Sequence, residues 1–114
     1  MHIIIDRDAV CAADDMSHHR EEFTVPDDIT ITGLFEYLEF KYIPVIAGNN
    51  VVWELYHHDV EAGGYFTPNT NFLNGHVSLS SIINNSEADN EFYLRYYSSP
   101  DRYRKHFISI AQSY

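Results

Sequence analysis

Basic residues are scarce in this chain. Seven Lys and Arg stand against seventeen Asp and Glu in 114 residues, a formal net charge of -10. A field of that sign repels phosphate backbones and anionic lipid surfaces, which argues against direct nucleic-acid or membrane binding and favours a basic protein surface or a cation. Cysteine is nearly absent. With Cys11 alone there is no internal disulfide, which suits a reducing, cytoplasmic setting in which Cys11 packs as a small hydrophobe and the Asn84-Asn85-Ser86 sequon goes unused. Apolar runs such as His2 to Ile5 and Val51 to Leu55 stop far short of the roughly 20 residues that cross a bilayer. No basic segment leading into an apolar stretch marks a secretory leader at Met1. The chemistry-bearing motifs are missing too: there is no Gly-x-Ser-x-Gly elbow, His-Glu-x-x-His or Cys-x-x-Cys framework, and Gly63-Gly64 is too short to cradle phosphates.

What the chain does have is core-forming material, 45% hydrophobic residues including seven Phe, nine Tyr and one Trp. This is enough for one domain spanning residues 1–114. A β-branched run from His2 through Cys11 and a short run from Glu21 to Val25 predict two strands. After Pro26, the apolar period changes. Ile31, Leu34, Phe35, Leu38 and Tyr42 recur at helical spacing behind a Thr30 N-cap, with Ile29 and Leu34 placed as a hydrophobic staple. Val45-Ile46 and Val51 to Tyr56 predict a hairpin around residues 47–50, and residues 59–75 predict a long loop. Alternation at Val77 and Leu79, and at Phe92, Leu94 and Tyr96, predicts two further strands. Ser99-Pro100-Asp101 starts a terminal helix with the stripe Tyr103, Phe107, Ile110, Ala111 and Tyr114. The fold class is α+β, a small antiparallel or mixed sheet with one packed helix and a C-terminal helix.

Through about residue 58 the order strand, strand, helix, strand pair, with Val-Pro-Asp-Asp-Ile-Thr-Ile leading into a helix that reads Gly-Leu-Phe-Glu-Tyr-Leu, resembles the ubiquitin-like β-grasp. The pattern departs from that family after Asp59, and no terminal Gly-Gly supports conjugation or sulfur transfer.

The charge is unevenly spread. Through Glu61 there are thirteen acids and three bases (Arg7, Arg20, Lys41), and from Ala62 onward four acids and four bases. Asp14, Asp15, Glu21, Glu22, Asp27, Asp28, Asp59 and Glu61 are candidate partner-binding acids, with Tyr37, Tyr42, Tyr56 and Tyr65 as candidate aromatic anchors. In size, charge and cysteine content the chain resembles the bacterial immunity proteins that neutralise nuclease toxins. That resemblance implies a non-enzymatic inhibitor whose carboxylates occupy the basic cleft of its partner. Two other readings stand beside it. His57, Asp59 and Glu61, on one face of a continuous strand and joined by His18 or His19, would suit a divalent transition metal in a metal-binding protein or metal-dependent enzyme. The basic group Arg102, Arg104 and Lys105 would pair with the acidic half in a homodimer or a structural homo-oligomer.

Overall fold

A computed structural model describes residues 1–10, 19–43, 50–67, 71–83 and 90–104. They form a mixed six-stranded sheet, in the order β2-β1-β6-β3-β4-β5, with a helix packed on one face, an α+β fold. The strands are β1 (His2–Arg7), β2 (Glu21–Thr24), β3 (Val52–His57), β4 (Val60–Phe66), β5 (Asn71–Leu73) and β6 (Glu91–Tyr97); the helices are α1 (Ile31–Lys41) and the short α2 (Leu79–Ile82). Residues 100–104 form a helical turn, the start of the expected terminal helix, whose remainder lies outside the described residues. No helix among the described residues is long and apolar enough to cross a membrane.

Alternation dictates which side of β1 is buried: Ile3 and Ile5 are fully enclosed and Arg7 nearly so. The strand ends at Arg7, short of the expected Cys11. There Asp8 accepts a hydrogen bond from the Tyr96 amide at 2.9 Å and another from the Tyr93 hydroxyl, tying the end of β1 to β6. β1 pairs antiparallel with β2 and parallel with β6, and β6 in turn pairs antiparallel with β3. The strand that joins β1 to β3 thus comes late in the chain, as β6.

α1 lays Ile31, Leu34, Phe35 and Leu38, all fully buried, over the inner face of the sheet among Ile3, Ile5, Trp53, Leu55, Phe92 and Leu94. Its start is fixed as the sequence predicts, because Thr30 Oγ1 accepts the Gly33 amide at 3.1 Å. Thr30→Ala should cost about 1 kcal/mol, read as a lower urea midpoint with an unchanged slope.

Three expectations fail, each for a local reason. β3 forms its hairpin with β4, turning through His58 and Asp59; Val45 and Ile46 lie outside the described residues. The segment expected as a loop holds β4 and β5. Its period is hidden by Gly63-Gly64 and by a bulge opposite Leu55 and Tyr56. The alternation at Val77 and Leu79 makes only an isolated bridge from Ser78 to Thr30 before the chain turns into α2, where Leu79 is buried.

Candidate functional site

The expected partner-binding residues do not form one patch. Glu21 and Glu22 lie exposed on the edge strand β2, and Asp27 and Asp28 are exposed in the turn that follows. Tyr37, half-buried on α1, stands beside them with its ring edge-on to Phe23 of β2, 5.9 Å between centroids. These five residues line one margin of the molecule. Tyr56, Asp59 and Glu61 belong to the β3-β4 hairpin, which β1 and β6 separate from β2. Asp14 and Asp15 lie outside the described residues.

Tyr42 and Tyr65 are core residues. The Tyr42 ring packs against Phe23, and its hydroxyl donates to the carbonyls of Ile5 and His19. Tyr65 packs between Phe35 and Phe72 and donates to Glu39 Oε1 at 3.0 Å. Burial, followed by the neighbouring Glu39 carboxylate, pushes the Tyr65 hydroxyl up to about 12.

The proposed metal set is not assembled. Sharing one face required an unbroken strand from His57 to Glu61, but the chain reverses between His57 and Val60. His57 packs against Phe92, on the α1 side, Asp59 is exposed in the turn, and Glu61 faces the opposite side. Among the described residues no group of three His, Cys, Asp or Glu side chains is placed to hold a metal ion. His18 lies outside the described residues.

The bases of the acidic half are engaged elsewhere. Arg7 is buried, its guanidinium 5.3 Å from the Tyr42 ring centre. Arg20 pairs with Glu91 on β6. The Lys41 ammonium sits 4.7 Å over the ring of Tyr37. Asp27 pairs with the Met1 amino group at 2.8 Å, which holds its carboxyl below the usual range, and Glu22 lies 3.7 Å from His2. Glu21, Asp28, Glu36 and Asp59 are exposed and form no ion pair with a described Lys or Arg. Compared with known protein families, curated proteins and solved structures, the chain finds no match. No relative's activity bears on it, and the functional argument rests on these residues.

A second cluster, on the sheet face away from α1, was not foreseen. Glu54 sits in the middle of β3 with only 2% of its surface exposed. It accepts the Tyr97 hydroxyl at 2.8 Å, while the half-buried Glu61 accepts the Tyr103 hydroxyl at the same distance. Burial first, then the neighbouring Glu54 carboxyl, pushes the Glu61 carboxyl up to about 7, against the opposing pull of Tyr103. Tyr56 is likewise pushed up to about 12, chiefly by burial and then by Glu54, with Arg95 acting the other way. One sequence signal pointed here: a lone acid inside the apolar run Val51-Val52-Trp53-Glu54-Leu55 must be buried with partners if that run is a central strand.

Proposed function

We propose that this protein is a non-enzymatic acidic binding module that docks a basic protein, most concretely as an inhibitor or immunity protein covering the basic cleft of an enzyme such as a nuclease toxin. The observation that carries this reading is the lack of local compensation. The three bases of the acidic half are occupied by Tyr42, Glu91 and Tyr37, which leaves Glu21, Asp28, Glu36 and Asp59 without Lys or Arg counter-charges among the described residues. Solvated, uncompensated carboxylates project their field outward, where it speeds encounter with a basic surface. At the margin of β2, Tyr37 adds an aromatic side chain already braced by Phe23. A pre-positioned ring loses little side-chain freedom when it is covered.

The test is capture from the native cell with this protein as bait, followed by association kinetics with whatever is retained. One stoichiometric basic partner is expected, with an on-rate that falls at least about 100-fold from low to high salt. Glu21→Lys with Glu22→Lys should slow association further at low salt and leave the fold intact, because both side chains are exposed. An on-rate that ignores salt, or capture of nothing basic, would sink the proposal. Capture of this chain alone would favour the homo-oligomer in its place.

A further inference from the structure

The sheet ends at β2, and the hydrogen bonds of that strand settle which of its backbone groups are already used. The Val25 amide donates to the Met1 carbonyl at 2.9 Å, and the Met1 amino group donates to the Val25 carbonyl at 2.7 Å. Residues that exchange two such bonds form a hydrogen-bonded antiparallel pair, and these pairs recur at every second residue. The register carries the pattern on to Ile3 with Phe23 and Ile5 with Glu21. Glu22 and Thr24, opposite Ile4 and His2, therefore point their amides and carbonyls away from β1, off the edge of the sheet. Both residues are exposed, and among the described residues no backbone group bonds them from that side. The β1-β2 register is unbroken, so no bulge turns this edge away from a neighbour.

We propose that a basic, extended segment of the partner protein joins the sheet beside β2 as one further strand, a step that rests on the acidic docking reading and names the contact through which docking is made. The added strand takes its backbone bonds from Glu22 and Thr24 and sets its side chains over the same two faces as those of β2. On the outer face, its residue opposite Glu22 meets a carboxylate that is 68% exposed and paired, among the described residues, with the His2 imidazole at 3.7 Å. Lys or Arg suits that place. On the α1 side, the adjacent residue lies opposite Phe23 and beside the half-buried Tyr37 ring, which stands edge-on to Phe23, and an apolar side chain suits it. Glu21 at the start of β2 and Asp28 in the turn after it, both exposed, extend the attraction to either side.

Charge decides among the possible occupants. A second copy of β2 would crowd Glu21 and Glu22 of both molecules into one short ladder, between chains that each carry a net charge of -10. A neutral strand gains nothing from Glu22, and an acidic one is repelled. The same carboxylates thus close the edge to self-association and leave it open to a basic chain. The opposite edge of the sheet offers no such selection, since β5 is three residues long and carries no acid.

The probe is a short peptide of alternating lysine and valine, made in two forms of identical charge and added to the full chain. Methylating the valine nitrogens leaves the lysine amides as the bonding edge, which puts lysine opposite Glu22. Methylating the lysine nitrogens instead leaves an edge that puts valine opposite Glu22 and lysine opposite Phe23. Amide hydrogen exchange is read residue by residue by NMR. The first form, at about ten times its dissociation constant, should slow exchange at Glu22 and Thr24 about tenfold, while the second leaves those amides unprotected. Equal protection by both forms, or by neither, would overturn the added strand. Protection that needs no peptide and grows with protein concentration would give the edge to a second copy and overturn it too. Thr24→Pro supplies the other arm. Its nitrogen points off the edge, so proline removes a donor that β1 does not use and the urea midpoint should stay near that of the wild type. The ring nevertheless obstructs an incoming strand. With a basic partner captured from the native cell, Thr24→Pro should keep the salt-dependent on-rate, which the carboxylates set, and release the partner at least about tenfold faster. Release no faster than from the wild type would overturn strand addition while the acidic docking surface stands. Capture of nothing basic would sink that wider reading, and the two peptide forms would still decide the edge, as they would should Thr24→Pro fail to fold.

Discussion

Trp53→Ala is expected to remove about 3–5 kcal/mol of stability, the largest loss from any single side chain in this fold. Trp53 is fully buried, second in β3, with β6 on one side and β4 on the other. Its ring lies 5.2 Å from that of Tyr96, its partner across β3 and β6, and it packs into the core that α1 covers. Truncation loses the transfer energy of the ring and leaves a cavity between two hydrogen-bonded neighbours, where the backbone cannot collapse to fill it. Against a total of roughly 5–15 kcal/mol for a domain of ordinary stability, that is enough to unfold a marginal protein at 37 °C. Urea unfolding followed by far-UV circular dichroism measures it, since this is the sole tryptophan and its fluorescence disappears with the mutation. Trp53→Phe should cost clearly less than its lost volume implies. The indole Nε1 is buried without a hydrogen-bond partner among the described residues, and phenylalanine removes that desolvated donor. Equal losses for the two variants would show that the ring's volume is not what matters at this position.

The second large effect separates two adjacent glycines. Gly63→Val should destabilise by about 1–3 kcal/mol, toward the upper end, while Gly64→Ala should be close to neutral. A Cβ at Gly63 would lie 2.7 Å from the backbone oxygen of Leu73 and 2.9 Å from Cδ1 of Ile31. The first obstacle is the neighbouring strand itself, and the second is a fully buried side chain of α1. Relief would require β4 to part from β5 and α1 to lift from the sheet. At Gly64 the nearest atom to an added Cβ is the Trp53 carbonyl oxygen at 3.4 Å, and the next contacts lie near 4 Å. A methyl group fits there with a slight adjustment, and loss of the glycine's freedom in the unfolded chain offsets part of any strain. Paired denaturation curves of the two variants decide the point. Similar losses would show that the approach of β5 and α1 to β4 does not set the requirement for glycine.

These glycines also explain how far the fold could be read in advance. α1 was legible from Thr30 to Tyr42, because its cap, its apolar spacing and the Pro26 before it all act within a few residues. β1, β2 and the Phe92 to Tyr97 strand were legible for the same reason, as their alternation is a local record of one buried face. β4 was not. A strand whose centre is Gly63-Gly64 carries no side-chain period there, and those glycines are required by what approaches from β5 and α1, far along the chain. The expected metal face failed at the same hairpin, since a two-residue turn at His58 and Asp59 places His57 and Glu61 on opposite sides. For the candidate site, the exposed acids from Glu21 to Asp28 followed from sequence, whereas the roles of Tyr42 and Tyr65 did not: Tyr42 stood both on the apolar stripe of α1 and among the candidate anchors, aromatic residues suit both, and only the packing partners decide between them.

The sequence by itself determined the α+β class, the capped central helix, the acidic surplus and its concentration before Glu61, because composition and short-range periodicity are properties of neighbours along the chain. Tertiary structure alone decided that β6 enters the sheet between β1 and β3, that Arg20 pairs with the distant Glu91, and that Tyr97 and Tyr103 reach the carboxyls of Glu54 and Glu61. Each of these depends on which distant segments share a strand pairing or a buried face, and burial is what pushes the Glu61 carboxyl above its ordinary range.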